Sequence, residues 1–247
     1  MDKLVYTAAS GLRSHMASQA AIANNIANAS TTGFRADRVV FDRLQVKGPG
    51  FQSVVMAGEE TTDADRRAGT VMQTGRPLDV ALDGDAWLAV QASDGQEAYT
   101  RRGDLNVAAS GVLETGDGFP VMGSGGPITI PPASSISIAE DGTISIVPQG
   151  GDPKNPQVID RLKLVSAKGS DTRKGLDNLL RVRGGGTLPD DLDAKVQSAS
   201  LEGSNVNLTQ ALVDMIENQR SYEVQANLLK EAKDMDTSAA SLMRMPG

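Results

Sequence analysis

The sequence predicts an α+β protein: long N- and C-terminal α-helices form a coiled-coil-like pair, with an antiparallel β domain and an irregular linker inserted between them. Three patterns lead there. Apolar residues recur in steps of four and three near both ends of the 247-residue chain. Apolar–polar alternation between Asp-Gly and Ser-Gly turn signals fills the middle. Glycine- and proline-bearing runs separate the zones.

Residues 2–28 form the first helical stretch, within an N-terminal segment 1–34. Val5, Ala9, Leu12, Met16, Gln19, Ala23 and Ile26 make its seam, and no proline interrupts it. Asp2 can cap the start, and the many alanines favour helix and let a neighbour approach closely. At 1.5 Å per residue the helix is about 38 Å long. It ends in Asn28-Ala29-Ser30-Thr31-Thr32-Gly33. The matching helix occupies 207–247, where Asn207 with Gln210 makes an Asn variant of the capping box. Its seam runs through Leu208, Leu212, Met215, Gln219, Tyr222, Ala226 and Leu229. It then shifts by about a residue through Ala232, Met235, Ala239 and Leu242, a local break in heptad phase. Each seam is an apolar face that needs a partner.

The β domain spans 77–183. Leu78, Val80 and Leu82 alternate with Asp79, Ala81 and Asp83 as in a half-buried strand, which puts both aspartates on the solvent face. Turns are expected at Asp94-Gly95, Ser110-Gly111, Asp117-Gly118 and Asp141-Gly142. The clearest hairpin joins Ile136 and Ile138 to Ile144 and Ile146, and residues 161–165 make a further strand. Linkers fill 35–76 and 184–206. Residues 47–74, with Gly48-Pro49-Gly50, are expected to be irregular or mobile, and Gly184-Gly185-Gly186 marks the exit from the β domain.

Composition excludes several classes. The net charge of −7, with acids and bases interspersed, offers no basic stripe for nucleic acid. Cysteine is absent, which removes disulfides, thiolate metal sites and cysteine nucleophiles. No run approaches the roughly 20 apolar residues of a membrane span, so direct membrane insertion is not expected. The N-terminus lacks the pattern of an ordinary secretory signal, so any export uses an uncleaved one.

The residues that could carry chemistry point away from catalysis. His15, the only histidine, lies on a helix without triad or metal partners and reads as a surface or interfacial side chain. The triple glycine has no phosphate-loop lysine after it. Asp79, Asp83 and Asp85 lack calcium-loop spacing. Neither catalytic, cofactor nor metal residues are expected, and no enzyme. Asn24, Asn25 and Asn28 cluster at the end of the first helix, either to terminate it or to fix its register through amide bonds.

Ser10-Gly11-Leu12, with the run from Asn24-Asn25-Ile26 through Thr31-Thr32-Gly33-Phe34-Arg35, resembles the N-terminal signature of the flagellar rod and hook proteins. Leu201-Glu202-Gly203-Ser204-Asn205-Val206-Asn207, continuing to Met215 through Glu223, resembles their C-terminal signature. Residues 69–84 and Tyr99-Thr100-Arg101 are similar to the family's middle. Trp87-Leu88 stands where many distal-rod and hook relatives carry two phenylalanines, and the nearest likeness is to a proximal-rod member.

The resemblance implies a non-enzymatic subunit of the periplasm-spanning basal-body rod. Its helices pair antiparallel facing the rod channel, with the β domain outside. Its partners are other proximal and distal rod subunits, further copies in a helical assembly, and the flagellar type III export apparatus. The implied assembly residues are Leu12, Met16, Asn24, Asn25, Ile26, Asn28, Thr31, Thr32, Gly33 and Phe34 at one end. At the other they are Asn205, Val206, Leu212, Met215, Gln219, Arg220, Tyr222 and Leu229. The alternatives are a distal-rod relative and a β-domain binding module that dimerises through its helices.

Overall fold

The computed structural model describes residues 2–45 and 55–243. Expectations for 46–54 and for the side chains of Val5, Ala239 and Leu242 lie outside the described residues. The chain forms two compact units: Met1–Ala27 with Asp37–Thr62 and Asn207–Gly247, and Asn28–Ala36 with Asp63–Val206.

In the first unit, α1 (Asp2–Ala27) and α2 (Leu208–Met243) pack together. Their contacts run antiparallel, with Ala8 and Gly11 beside Gln225 and with His15 and Gln19 beside Asn218. Half of the expected capping box forms: the Gln210 amide donates to Asn207 Oδ1 at 3.1 Å, while the Gln210 side chain turns to Asp214 at 2.7 Å instead of back to Asn207. Strands Asp37–Gln45 and Val55–Ala64 pair in a two-stranded sheet. These strands, with Val71–Gln73, correct the expectation of an irregular linker over 35–76, a stretch where the sequence shows no regular alternation.

The second unit is antiparallel β. Strand Ala86–Gln91 lies inside a five-stranded sheet, between Leu164–Ser166 and Glu97–Thr100; Leu180–Val182 and Thr172–Lys174 follow. It is buried on both faces. Leu88 and Val90 enter a large core with Leu105, Leu113, Val121, Ile128 and Ile144. Trp87 and Ala89 enter a second core with Tyr99, Val165 and Leu180. One sheet therefore divides a large aliphatic core from a smaller one built around Trp87 and Tyr99.

The expected hairpin forms between Ala133–Ile138 and Thr143–Pro148, with Ile138 opposite Ile144 and Ile136 opposite Ile146. Glycines 95, 111, 118 and 142 all take positive φ, as those turns require. Two strand expectations are corrected. Asp83 is exposed, but Asp79 is only 1% exposed. Val80–Leu82 is buried on both sides, and Asp79 accepts a 2.6 Å bond from the Thr74 hydroxyl with Arg76 at 3.6 Å. Residues 161–165 do not make one strand. Gln157–Arg161 belongs to the three-stranded sheet and Leu164–Ser166 to the five-stranded one. Lys163, at the crossing, is held by Glu97 at 2.8 Å.

Candidate assembly interface

The helical pair shows which face of each helix meets the other. On α2 the inward side carries Ala211, Met215, Asn218, Gln225, Leu229 and Ala232, all buried or half-buried, in steps of four, three and seven. Met215, Leu229 and Ala232 belong to the line read from the sequence, whereas Ala211, Asn218 and Gln225 each stand one residue before its Leu212, Gln219 and Ala226, and the phase is unbroken through Ala232. Leu212 is 46% and Tyr222 38% exposed, Gln219 and Arg220 are exposed, and Met235 is 60% exposed. On α1, Leu12, Gln19 and Ile26 are half-buried, whereas Ala9, Met16 and Ala23 face outward. The cause is chemical. Where the helices come closest the residues are small or polar: Gly11 lies so close to Gln225 that a Cβ there would stand 2.1 Å from its amide nitrogen. His15 is interfacial, its Nδ1 2.8 Å from Asn218 Oδ1.

The stronger hydrophobes of α2 point away from α1. Leu208, Leu212, Val213, Ile216, Val224 and Leu228 are all more than 40% exposed. Beside them run two open grooves between the helices. One, of about 690 Å³, is lined by Ala8, Arg220, Val224, Leu228, Leu229 and Met235 among others. The other, of about 560 Å³, includes Met16, Gln19, Gln219 and Tyr222.

The remaining motif residues are engaged within the chain. Asn24 donates to the Asp37 carboxylate at 2.6 Å, and Asn25 exchanges two bonds with the Asp37 backbone at 2.7 and 3.1 Å. These amides thus tie the start of a strand to the end of α1. Asn28 accepts from the Thr31 hydroxyl at 3.1 Å, and Thr32 and Val206 are half-buried. Asn205 accepts from the Ala36 amide at 2.7 Å and donates to the carbonyls of Asp65 and Arg67. Gly33, at φ +66°, donates to the Glu202 carbonyl at 2.7 Å, and the Lys174 ammonium sits 3.7 Å over the buried Phe34 ring.

Beneath that turn lies a buried ionic cluster that the sequence reading missed. Glu202, 1% exposed, takes Arg35 on one carboxylate oxygen at 2.7 Å and the Arg101 Nε on the other at 2.8 Å. The Gly69 amide adds a 2.7 Å bond. Arg101 also donates to the carbonyls of Leu82, Gly84 and Ala86. Burial, with the neighbouring Arg101 charge adding to it, pulls the Arg35 guanidinium down to about 10, so it remains charged at neutral pH. Its buried Nε has no hydrogen-bond partner among the described residues. The sequence signal was a lone charge in each of the runs 24–35, 99–101 and 201–207, and charge alone does not distinguish a solvated residue from a buried one.

Among the described residues, no group of three or more acids or histidines could hold a metal, and no helix is long and apolar enough to cross a membrane. Family models match three segments. Residues 5–35 match the flagella basal body rod protein model, 81–146 the flagellar hook protein FlgE/F/G D1 domain, and 197–242 the flagellar basal body rod FlgEFG protein C-terminal. The chain is 40% identical to the flagellar basal-body rod protein FlgF of Salmonella typhimurium, over 99% of this chain and 100% of the relative. To FlgF of Escherichia coli K12 it is 41% identical with the same coverage, and to FlgG of Bacillus subtilis 31%, again over 99% and 100%. The chain belongs to the flagellar basal-body rod protein FlgF family.

FlgF-type chains are structural, non-catalytic subunits of the axial rod of the flagellar basal body, and this chain is one of them. Each of its three matched segments supplies one member of the buried cluster: Arg35, Arg101 and Glu202. In this FlgF-family chain the two terminal signatures therefore meet in space, although the whole β domain separates them in sequence.

Proposed function

We propose that this chain is a proximal-rod subunit that assembles helically with further copies and with neighbouring proximal and distal rod proteins, transmitting torque along the periplasm-spanning rod. The observation that carries this reading is the orientation of α2. Its stronger hydrophobes face away from its own partner helix, and large apolar side chains left exposed on the outer side of a helix mark a protein–protein surface. Met16, Leu212, Ile216, Tyr222 and Val224 are the assembly residues at that surface. A heterologous contact that does not close on itself propagates into a helical polymer. The Thr31–Phe34 turn and Asn205 hold the chain around Glu202 and serve assembly from within. The subunit reaches the rod through the flagellar type III export apparatus.

The test is the double variant Leu212→Ser, Ile216→Ser. Both side chains are about half exposed, so the isolated chain keeps its stability within about 0.5 kcal/mol. Swimming is lost and basal bodies imaged by electron microscopy carry a truncated rod. Normal motility with a full-length rod in that variant would refute the proposed surface.

A further inference from the structure

A pair of helices joined by small residues has little in its packing to fix how far one slides along the other. Close-packed large side chains interlock, whereas a row of alanines does not. Among the described residues two amides of α2 bond across to α1: Gln225 reaches the Ala8 carbonyl at 3.4 Å, and the larger set of bonds is made by Asn218. Its amide nitrogen donates to the His15 carbonyl at 2.9 Å and to the Gln19 side-chain oxygen at 2.8 Å. Its oxygen is then left to accept from His15 Nδ1 at 2.8 Å, which requires the Nδ1–H tautomer. One amide thus makes three bonds to two residues one turn apart on the facing helix.

The residues on either side of that position matter as much. A heptad toward the N-terminus, the places of His15 and Gln19 are taken by Ala8 and Leu12; a heptad toward the C-terminus, by Ile22 and Ile26. Sliding α2 by one heptad in either direction therefore moves the Asn218 amide onto side chains that can neither donate nor accept. A half-buried amide deprived of its partners is destabilising, and a polar residue at one seam position is the best-attested way to specify helix register. We propose that Asn218 is the positioning residue that sets the register of the α1–α2 pair, with His15 and Gln19 as its partners. The register in turn decides which outward side chains of the two helices lie side by side.

The absence of cysteine makes the test direct. Nitroxide labels on Arg13→Cys and Lys233→Cys, both exposed positions, report the axial offset of the helices in the full-length chain by pulsed dipolar spectroscopy. The parent gives a single distance. Asn218→Leu adds a second population whose axial offset differs by about 10 Å, the rise of one heptad. If Asn218→Leu loses its helical circular dichroism, His15→Leu with Gln19→Leu replaces it and gives the same second population. A single parental distance in whichever of these variants folds overturns the proposal, as does a broad distribution in the parent.

Discussion

Arg35 and Glu202 meet at 2.7 Å with their side chains 4% and 1% exposed. The pair joins a residue just after the first helix to one just before the last, and Arg101 closes it from the β domain. Removing this carboxylate leaves two buried guanidinium groups that repel each other. Glu202→Gln keeps the shape and can still accept from Gly69, yet it should cost about 3–5 kcal/mol. Urea unfolding of the two proteins checks this, and a loss below about 1 kcal/mol would show the charge to be dispensable.

Gly33 is predicted to resist substitution for two reasons that a control can separate. Its φ is +66°, and a Cβ there would stand 2.5 Å from the Arg101 backbone. Gly84 also has positive φ, at +56°, but nothing lies within 4 Å of its Cβ position. Gly84→Ala should therefore cost only backbone strain, about 1 kcal/mol. Gly33→Ala should cost clearly more than that. Equal shifts in thermal midpoint would remove the steric argument.

Tyr99 gives the alkaline prediction. Its hydroxyl accepts from the Leu188 amide at 2.6 Å and donates to Glu97 at 3.0 Å. Burial pushes it up to about 12; the Leu188 bond opposes this and the Glu97 charge adds to it. The ordinary phenol value near 10 applies to the unfolded chain. Between about 10 and 12 the folded state holds the proton that the unfolded state has lost, so stability falls as pH rises through that window. The full effect is at most about 3 kcal/mol, at about 1.4 kcal/mol for each pH unit of the window. Tyr99→Phe should start less stable at neutral pH, through the stranded Leu188 amide, but lose less between those limits. Parallel alkaline curves for the two proteins would contradict the assignment.

Hydrogen exchange should rank the two units separately. Amides of Ala86–Gln91, buried on both faces, should exchange slowest, because their opening breaks both cores. Amides on the outward side of α2 should exchange faster in the unassembled chain, since their side chains gain burial only from neighbours. Equally slow exchange in both places would argue against a helical pair that assembly completes.

The helices, the central hairpin and the glycine turns were legible because each has a local cause. Asn207 caps from three residues away, and a turn glycine needs positive φ whatever surrounds it. Seam phase was less legible. Periodicity assumes that the most apolar stripe meets the chain's own partner, whereas Asn218, Gln225 and Gly11 make that contact and Leu212 and Ile216 face outward. Asp79 misled for a related reason: alternation cannot show that a strand is covered on both sides.

By itself the sequence determined the two long helices around a β domain and the rod-protein signatures at both ends. These follow from period, turn chemistry and motif, all of which are local. Only the tertiary structure decided that the signatures converge on Glu202, that the three asparagines after Ala23 bind a strand and a turn, and which side of α2 is left open. Those outcomes depend on contacts between residues far apart in the chain, where partner distance and desolvation, not residue type, set the energy.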